Sequence, residues 1–363
     1  MEFTLTAEQE LFRESVRDFV TDRLPPERLA EIADGEATDD GLWKEAAALG
    51  LAGVSVSEKH GGAGMGFLEE AIVAEELGRG LFPGPFLGTV VLALPALGNS
   101  PDLLEEVAAG TRVATLAWAD SDGHFDPARP AIRATGTGET WTLTGEAAFV
   151  PDLAAADLLV VAAATRSGVG VFAVEGEDAE RETLPTVDTT RPLGVLRLGG
   201  ARGRVLADPQ SGSGILADIR TRAHAALAAE AVGIASRVTE LAAAYAKERE
   251  QFGRAIGFYQ AVSHKLADSF IETENARSLA LWAAALIDQG DQDPEAAVAA
   301  SSAKVFAAAA AEHACARAIQ THGGIGFTWE HVLHRYYKRA LWIASYLGTG
   351  GELRAGVADA LLG

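Results

Sequence analysis

The side chains with the most to offer chemically lie between Tyr245 and Gln260, which reads YAKEREQFGRAIGFYQ. A cation (Arg249), an amide (Gln251) and an aromatic ring (Phe252) stand almost side by side, and Gly253 follows at once. That inventory suits a flat, anionic ligand. A guanidinium donates to phosphate oxygens in pairs, and an aromatic face covers a planar ring. A second group stands downstream at Gln320, Gly323 and Gly324, with Gly326 and Phe327 after it. Glycines let backbone N–H groups come close to a ligand because no Cβ intervenes. His322, His331 and His334, with Glu330, raise the question of a metal. No His-Glu-x-x-His and no Glu-x-x-His pair is present, so no metal is expected and hydrogen bonding is the better role for these histidines.

These groups need elements to hold them. Leu227, Ile234, Val238, Leu241 and Tyr245 recur at steps of seven, four, three and four, the spacing of one helix face. The pattern breaks at Arg249–Gly253 and resumes at Val262, Leu266 and Phe270, so Arg249, Gln251 and Phe252 sit on the turn of a helical hairpin. From about Ser213 the chain is helical and rich in alanine, with segments expected over 214–248, 260–289, 294–321, 329–344 and 350–362. Long helices joined by short loops read as an up-down bundle.

Upstream the texture differs. Thr6 to Arg23 is amphipathic, with Leu11, Phe12, Val16, Phe19 and Val20 on one face, and Pro25 and Pro26 end it. Asp39 or Asp40 caps a second helix through Leu49, and Phe67 to Leu81 is a third. The loop LAGVSVSEKHGGAGMG lacks the spacing of a phosphate-binding loop and reads as a turn between helices. From Thr111 to about Pro209, short β-prone runs (VATLAWA, AIRATG, TWTLTG, LLVVAAA, GVGVFAV, GVLRLGG) are punctuated by Gly, Asp and Pro. The expectation is an α+β multidomain chain: an N-terminal all-α domain over 1–110, a central antiparallel β-barrel or sandwich over 111–209, and a C-terminal helical bundle over 210–363.

Composition narrows the function classes. A net charge of −21, from 30 basic and 51 acidic residues, repels nucleic acid and anionic membranes. Cys315 is alone, which excludes an intrachain disulfide and a multi-cysteine zinc site. MEFTLTAEQELF has neither a basic n-region nor an apolar h-region, and the run near Pro85 to Leu97 is too short and proline-broken to span a bilayer. A cytoplasmic protein is expected.

The R-x-Q-F-G of Arg249–Gly253, then Phe258 to Gln260 and Leu266, Ala267 and Asp268, resembles the acyl-CoA dehydrogenase flavoproteins. So does Q-x-x-G-G-x-G-F from Gln320 to Phe327, before a helix bearing Arg335. The resemblance implies an FAD cofactor and an acyl-CoA substrate. It assigns Arg249, Gln251 and Phe252 to the FAD, Arg249 on the pyrophosphate. It places Gln320, Gly323 and Gly324 on the adenosine side of a neighbouring subunit's FAD, and gives Thr349 a cofactor contact. A tetramer and reoxidation by an electron-transferring flavoprotein follow from the same resemblance.

One departure bears on the chemistry. The family carries its catalytic glutamate in a Y-E-G-T pattern, and this chain reads Tyr346, Leu347, Gly348, Thr349. A minority place it near Ala223, equally inert. Leucine takes no proton, although its backbone N–H remains available as a donor to a thioester carbonyl. Glu230, two turns beyond Ala223 and flanked by Ala and Val, is the internal candidate base; a buried ion pair is its ordinary alternative role. The β-domain also departs, with ATLAWADSD and AAFVPDLAAAD where the family shows T-E-P and Trp-(I/V)-(T/S). These departures, with TWEHVLHRYYKRA after GGIGF and AAEAVGIA before the hairpin, resemble an actinobacterial branch, some of whose members work as α2β2 tetramers on bulky acyl-CoA substrates. The expectation is thus α,β-dehydrogenation of an acyl-CoA as one subunit of a heteromeric enzyme. Alternatives are a complete homotetramer using Glu230, a flavin-dependent oxygenase or oxidase, and a non-catalytic acyl-CoA- or FAD-binding subunit.

Overall fold

The computed structural model describes residues 4–35, 40–138, 140–290 and 294–363. The cap expected at Asp39 or Asp40 lies outside the described residues and side chains. Spatially the chain divides into two compact units: residues 1–34, 67–82 and 224–363, and residues 35–66 and 83–223.

The first unit is helical. Helix α1 (Ala7–Arg23) starts where expected, because Thr6 and Gln9 cap one another reciprocally, Gln9 N–H to Thr6 Oγ1 at 3.2 Å and Thr6 N–H to Gln9 Oε1 at 2.9 Å. The prolines that end it also begin α2 (Pro26–Asp34), an element absent from the sequence expectation. Proline's missing N–H costs nothing at a first helical position. Helix α3 (Asp40–Ala48) belongs to the other unit, and α4 (Phe67–Arg79) returns to this one. Helix α5 (Pro101–Ala108), in the second unit, was also unanticipated. The bundle follows as α6 (Gly212–Glu248), α7 (Gln260–Gln289), α8 (Pro294–His322), α9 (Leu333–Ser345) and α10 (Gly350–Leu362).

Glycines and alanines set how closely these helices approach. A Cβ on Gly78 of α4 would lie 2.3 Å from the Glu230 carbonyl of α6, and one on Gly233 of α6 would lie 1.9 Å from the Glu75 carbonyl of α4. Only glycine permits that crossing. Ala276, Ala280, Ala283 and Ala284 of α7 are buried, as are Ala299, Ala300, Ala303 and Ala307 of α8. Buried carboxylates tie the bundle together. Glu76 accepts two hydrogen bonds from Arg17 of α1, at 2.9 and 2.6 Å, and Glu75 accepts one from Arg277 of α7 at 3.1 Å. Burial pushes the Glu75 carboxyl up, against the pull of Arg277.

The second unit is built on strands β1 (Ala114–Ala117), β2 (Ile132–Thr137), β3 (Thr140–Pro151), β4 (Leu158–Ala164), β5 (Val169–Glu175), β6 (Glu180–Leu184) and β7 (Leu193–Ala207). The sheet closes on itself: β4 pairs with β2, β2 with β3, β3 with β7, β7 with β5, and β5 with β4. Ile132, Leu143, Val150, Leu159, Val161, Phe172, Leu196 and Leu198 fill the interior. The antiparallel expectation needs amending at two places, since β1 and β2 both pair with β4 in parallel. Alternating hydrophobicity reports a half-buried strand but not the direction of its neighbour. The charged β6, ERETL, was missed for a related reason: it lies along one edge of β7, largely exposed, and buries almost nothing. No helix among the described residues is long and apolar enough to cross a membrane.

Candidate functional site

Three structural groups in the helical unit contain the residues singled out from sequence, Glu230 apart. The first is the turn between α6 and α7. Its tip is a tight β-hairpin, with β8 (Glu250–Gln251) against β9 (Arg254–Ala255). The two tip residues, Phe252 and Gly253, have φ of 54° and 82°, the geometry that matches hairpin twist. Phe252 is thrust outward at 90% exposure. The Arg249 backbone is fixed by Tyr245 O and Ile256 N–H, at 2.9 and 2.8 Å. Its exposed side chain makes no ion pair or hydrogen bond among the described residues. The Gln251 carbonyl accepts from Tyr259 Oη at 3.2 Å, and Arg254 lies 4.1 Å over the Phe258 ring.

The second group follows α8. His322 ends that helix, and a 3-10 turn covers Gly323–Phe327. Gly323 has φ of 64°, and no atom lies within 4 Å of a Cβ placed on it or on Gly324. Gln320 and Gly324 are exposed, so the amide side chain of Gln320 faces open space. The first and second groups are joined: Tyr245 of α6 stacks on His322 at 4.3 Å between centroids, and His322 meets His331 at 4.7 Å. The histidines are engaged locally. His322 Nδ1 donates to Ala318 O at 2.8 Å, His331 Nδ1 accepts from Leu333 N–H at 3.3 Å, and His334 Nε2 donates to Trp329 O at 3.1 Å. Burial pulls His331 and His334 below the ordinary imidazole range. Among the described residues no cluster of His, Cys, Asp and Glu is arranged to hold a metal.

The third group is the loop between α9 and α10. Leu347 is 3% exposed with φ of 58°, and Gly348 has φ of 109°. Two buried side chains grip this loop. His224 Nε2 donates to the Leu347 carbonyl at 2.9 Å, and Lys304 Nζ donates to the Gly348 carbonyl at 2.7 Å. A carbonyl only accepts, so His224 carries its proton on Nε2 there. Its Nδ1 lies 3.2 Å from Ser301 Oγ. Burial drives the Lys304 amine down to about 7, with Glu352 opposing. Thr349 caps α10 in a reciprocal box with Glu352, so its hydroxyl is already engaged. Neither His224 nor Lys304 was singled out from sequence. The one available signal was Lys304 standing alone in the run ASSAKVFAAAAA.

Glu230 belongs to none of these groups. It is 6% exposed, and its Oε1 accepts from Arg339 Nη1 at 2.5 Å, while Arg339 is fully buried. A carboxylate paired in this way must break a buried ion pair before it can take a proton. In the barrel unit, the strand end that departs from the expected pattern presents Pro151, whose carbonyl accepts from Thr115 Oγ1 at 2.6 Å. Proline supplies neither an N–H nor a hydroxyl there.

Comparison with known proteins decides the family. Residues 212–362 match the C-terminal domain of acyl-CoA dehydrogenase and residues 6–99 its N-terminal domain. The acyl-CoA dehydrogenase IpdE2 of Mycolicibacterium smegmatis is 32% identical over 352 residues, covering 96% of this chain and 97% of the relative. The chain belongs to the acyl-CoA dehydrogenase family. It is therefore placed among FAD-dependent oxidoreductases. Two solved assemblies are close in fold. The Tcur3481-Tcur3483 steroid ACAD superposes with a TM-score of 0.89 at 33% identity, covering 99% of each chain. The ChsE4-ChsE5 complex from Mycobacterium tuberculosis gives 0.90 at 29% identity, covering 100% of this chain and 99% of that one.

The local structure fits the family's cofactor. The free guanidinium of Arg249, the outward ring of Phe252 and the open backbone of Gly323 and Gly324 match a flat, phosphate-bearing group.

Proposed function

We propose that this chain is one subunit of a heteromeric acyl-CoA dehydrogenase whose sites are assembled between chains, with the partner supplying the base. The observation that carries the reading is the distance along α6. His224, which grips the Leu347 loop, and Arg249, at the opposite end, are 25 residues apart, roughly 37 Å at 1.5 Å per residue. A stretched flavin dinucleotide is shorter than that. The Leu347 loop and the Arg249 turn of one chain therefore do not contact the same flavin, which supports sites assembled between chains.

The residues divide accordingly. Arg249 holds a pyrophosphate, with Gln251 and Phe252 beside it. Gln320 and the N–H groups of Gly323 and Gly324 close on the adenosine side, and Thr349 lies at the far loop. FAD, when bound, supplies the hydride acceptor for α,β-dehydrogenation of the thioester, and an electron-transferring flavoprotein is the proposed reoxidant. The chain's own part is to bind, orient and exclude water, with the Leu347 N–H as a carbonyl donor. Buried leucine at the base position supports assignment of proton abstraction to the partner. The complexes named Tcur3481-Tcur3483 and ChsE4-ChsE5 support a two-chain assembly.

Flavin stoichiometry and native mass test this. The chain is purified alone and with each acyl-CoA dehydrogenase-like neighbour. About half an FAD per chain in a mixed tetramer, and little when alone, is the expected result. One tightly held FAD per chain in an active homotetramer would overturn it.

A further inference from the structure

Away from the three groups described above, the helical unit encloses a cavity of about 380 Å³ where α1, α2, α4, α6 and α9 meet. That size lies within the range of roughly 300–1,000 Å³ usual for small-molecule sites. Much of its wall is aliphatic, from Val20, Leu24, Leu29, Leu241 and Val332. Pro25 and Pro26 halt α1 and start α2, and so bring Leu29 to the same space. Gly80 lets α1 lie close to the end of α4, since a Cβ there would stand 2.0 Å from Val20 Cγ1.

Four charged side chains share this lining: Arg17, Arg79, Arg237 and Glu76. The three cations are not equally partnered. Arg17 makes a two-point bond to Glu76, at 2.9 and 2.6 Å, and Arg79 makes another to Glu240, at 3.0 and 2.8 Å. Among the described residues Arg237 has no such bond. Its carboxylate contact, Glu240 Oε2 at 3.6 Å, lies beyond hydrogen-bond reach and already accepts from Arg79. Its other neighbour is the Tyr336 hydroxyl, which donates its own proton to the Arg79 carbonyl at 2.5 Å. A guanidinium carries five N–H donors in a fork that matches a carboxylate, and Arg237 leaves that fork unspent. Its side chain is 41% exposed, so a ligand reaches it from solvent. Three guanidinium groups against Glu76 and Glu240 leave one positive charge over. A monoanion cancels that charge. A phosphate or dicarboxylate would meet the two glutamates as like charges, in a chain that already carries −21.

We infer that this cavity binds a small monocarboxylate with an aliphatic body, its carboxylate on Arg237 and its chain against Val20, Leu24, Leu29, Leu241 and Val332. None of these residues is among those assigned above to flavin or thioester, and the site does not depend on a partner subunit.

The test compares an acid with the alcohol of the same length. Sodium octanoate and 1-octanol are titrated calorimetrically into the protein, in the assembly in which it purifies, and into its R237Q, R237K and L241W variants. Octanoate is expected to bind about ten-fold more tightly than octanol, as one charge-assisted pair predicts. R237Q, which loses the charge, weakens octanoate about ten-fold and leaves octanol within about two-fold. R237K keeps the charge and most of the preference. L241W fills the cavity and removes the binding of both. Thermal melts without ligand identify any variant that fails to fold, and the remaining variants then carry the comparison. Octanoate binding that survives either R237Q or L241W unchanged overturns the inference. Equal affinities for acid and alcohol, or no octanoate binding up to about 10 mM, overturn it as well.

Discussion

The turn after α6 and the loop after α9 share one backbone feature. Each places a bulky residue at positive φ, Phe252 at 54° and Leu347 at 58°, and each follows it with a glycine at positive φ. Their surroundings are opposite. Phe252 is 90% exposed, whereas Leu347 is 3% exposed. The loop's carbonyls are gripped by His224 and Lys304, whereas among the described residues the Arg249 guanidinium makes no hydrogen bond or ion pair and the Phe252 ring meets only Tyr259, edge-on at 6.4 Å between centroids. The same local strain is thus stabilised in two ways. The loop is held by the chain itself and belongs to its folding. The turn is left open, in keeping with the proposal that a ligand or another subunit completes it.

That contrast predicts where substitutions are felt. The largest effect on stability is expected from E230A, which removes a buried ion-pair partner of Arg339 and costs about 3–5 kcal/mol. Denaturant melts measure it; a loss under about 1 kcal/mol would show that the pair relaxes into water. E230Q separates stability from chemistry: a folded E230Q assembly that retains turnover excludes Glu230 as the base.

The loop should next reveal itself through pH. Lys304 titrates at about 7 in the folded chain, against 10.5 for an ordinary lysine. Between those values the unfolded chain binds more protons, so stability rises with pH across that window. Below about 7 both states are protonated and the full penalty for burying the charge applies. K304M removes the slope, and melting curves at pH 6.5 to 10 read it directly. An unchanged slope would place the titrating group elsewhere.

At the turn, R249A is expected to weaken flavin binding by roughly ten- to a hundred-fold, the loss of one or two charge-assisted hydrogen bonds. Its flavin-free melting temperature should not move. A shift in that temperature would show that Arg249 has a structural task. The smallest stability effect belongs to F252A, within about 0.5 kcal/mol as for other exposed positions, with a lower native mass or flavin content as its signature.

Much of this architecture was legible in the residues. The recurrence from Leu227 to Tyr245 located α6, and Gly253 with Gln260 located the turn after it. What escaped is equally specific. Phe252 at positive φ is a conformation that side-chain periodicity does not encode. Pro26 reads as a stop and acts as a start, because proline serves both purposes. The parallel pairings of β4 depend on contacts distant in sequence. The candidate site was legible as a proposal at the motif residues Arg249 and Gly323–Gly324, which the structure leaves exposed or open. It was silent where His224 and Lys304 bond backbone carbonyls, since any residue supplies a carbonyl. Glu230 was legible as a buried carboxylate, but its pairing with Arg339, 109 positions away, was not.

The exposed turn also governs how the chain fares in a cell. Phe252, Phe258, Phe327 and Trp329 are each at least 60% exposed. A molecule synthesised without a companion carries them as adhesive ends, open to chaperones, proteases and its own copies. On the two-chain reading proposed above, a partner covers those rings, and co-production with it is expected to raise the soluble yield.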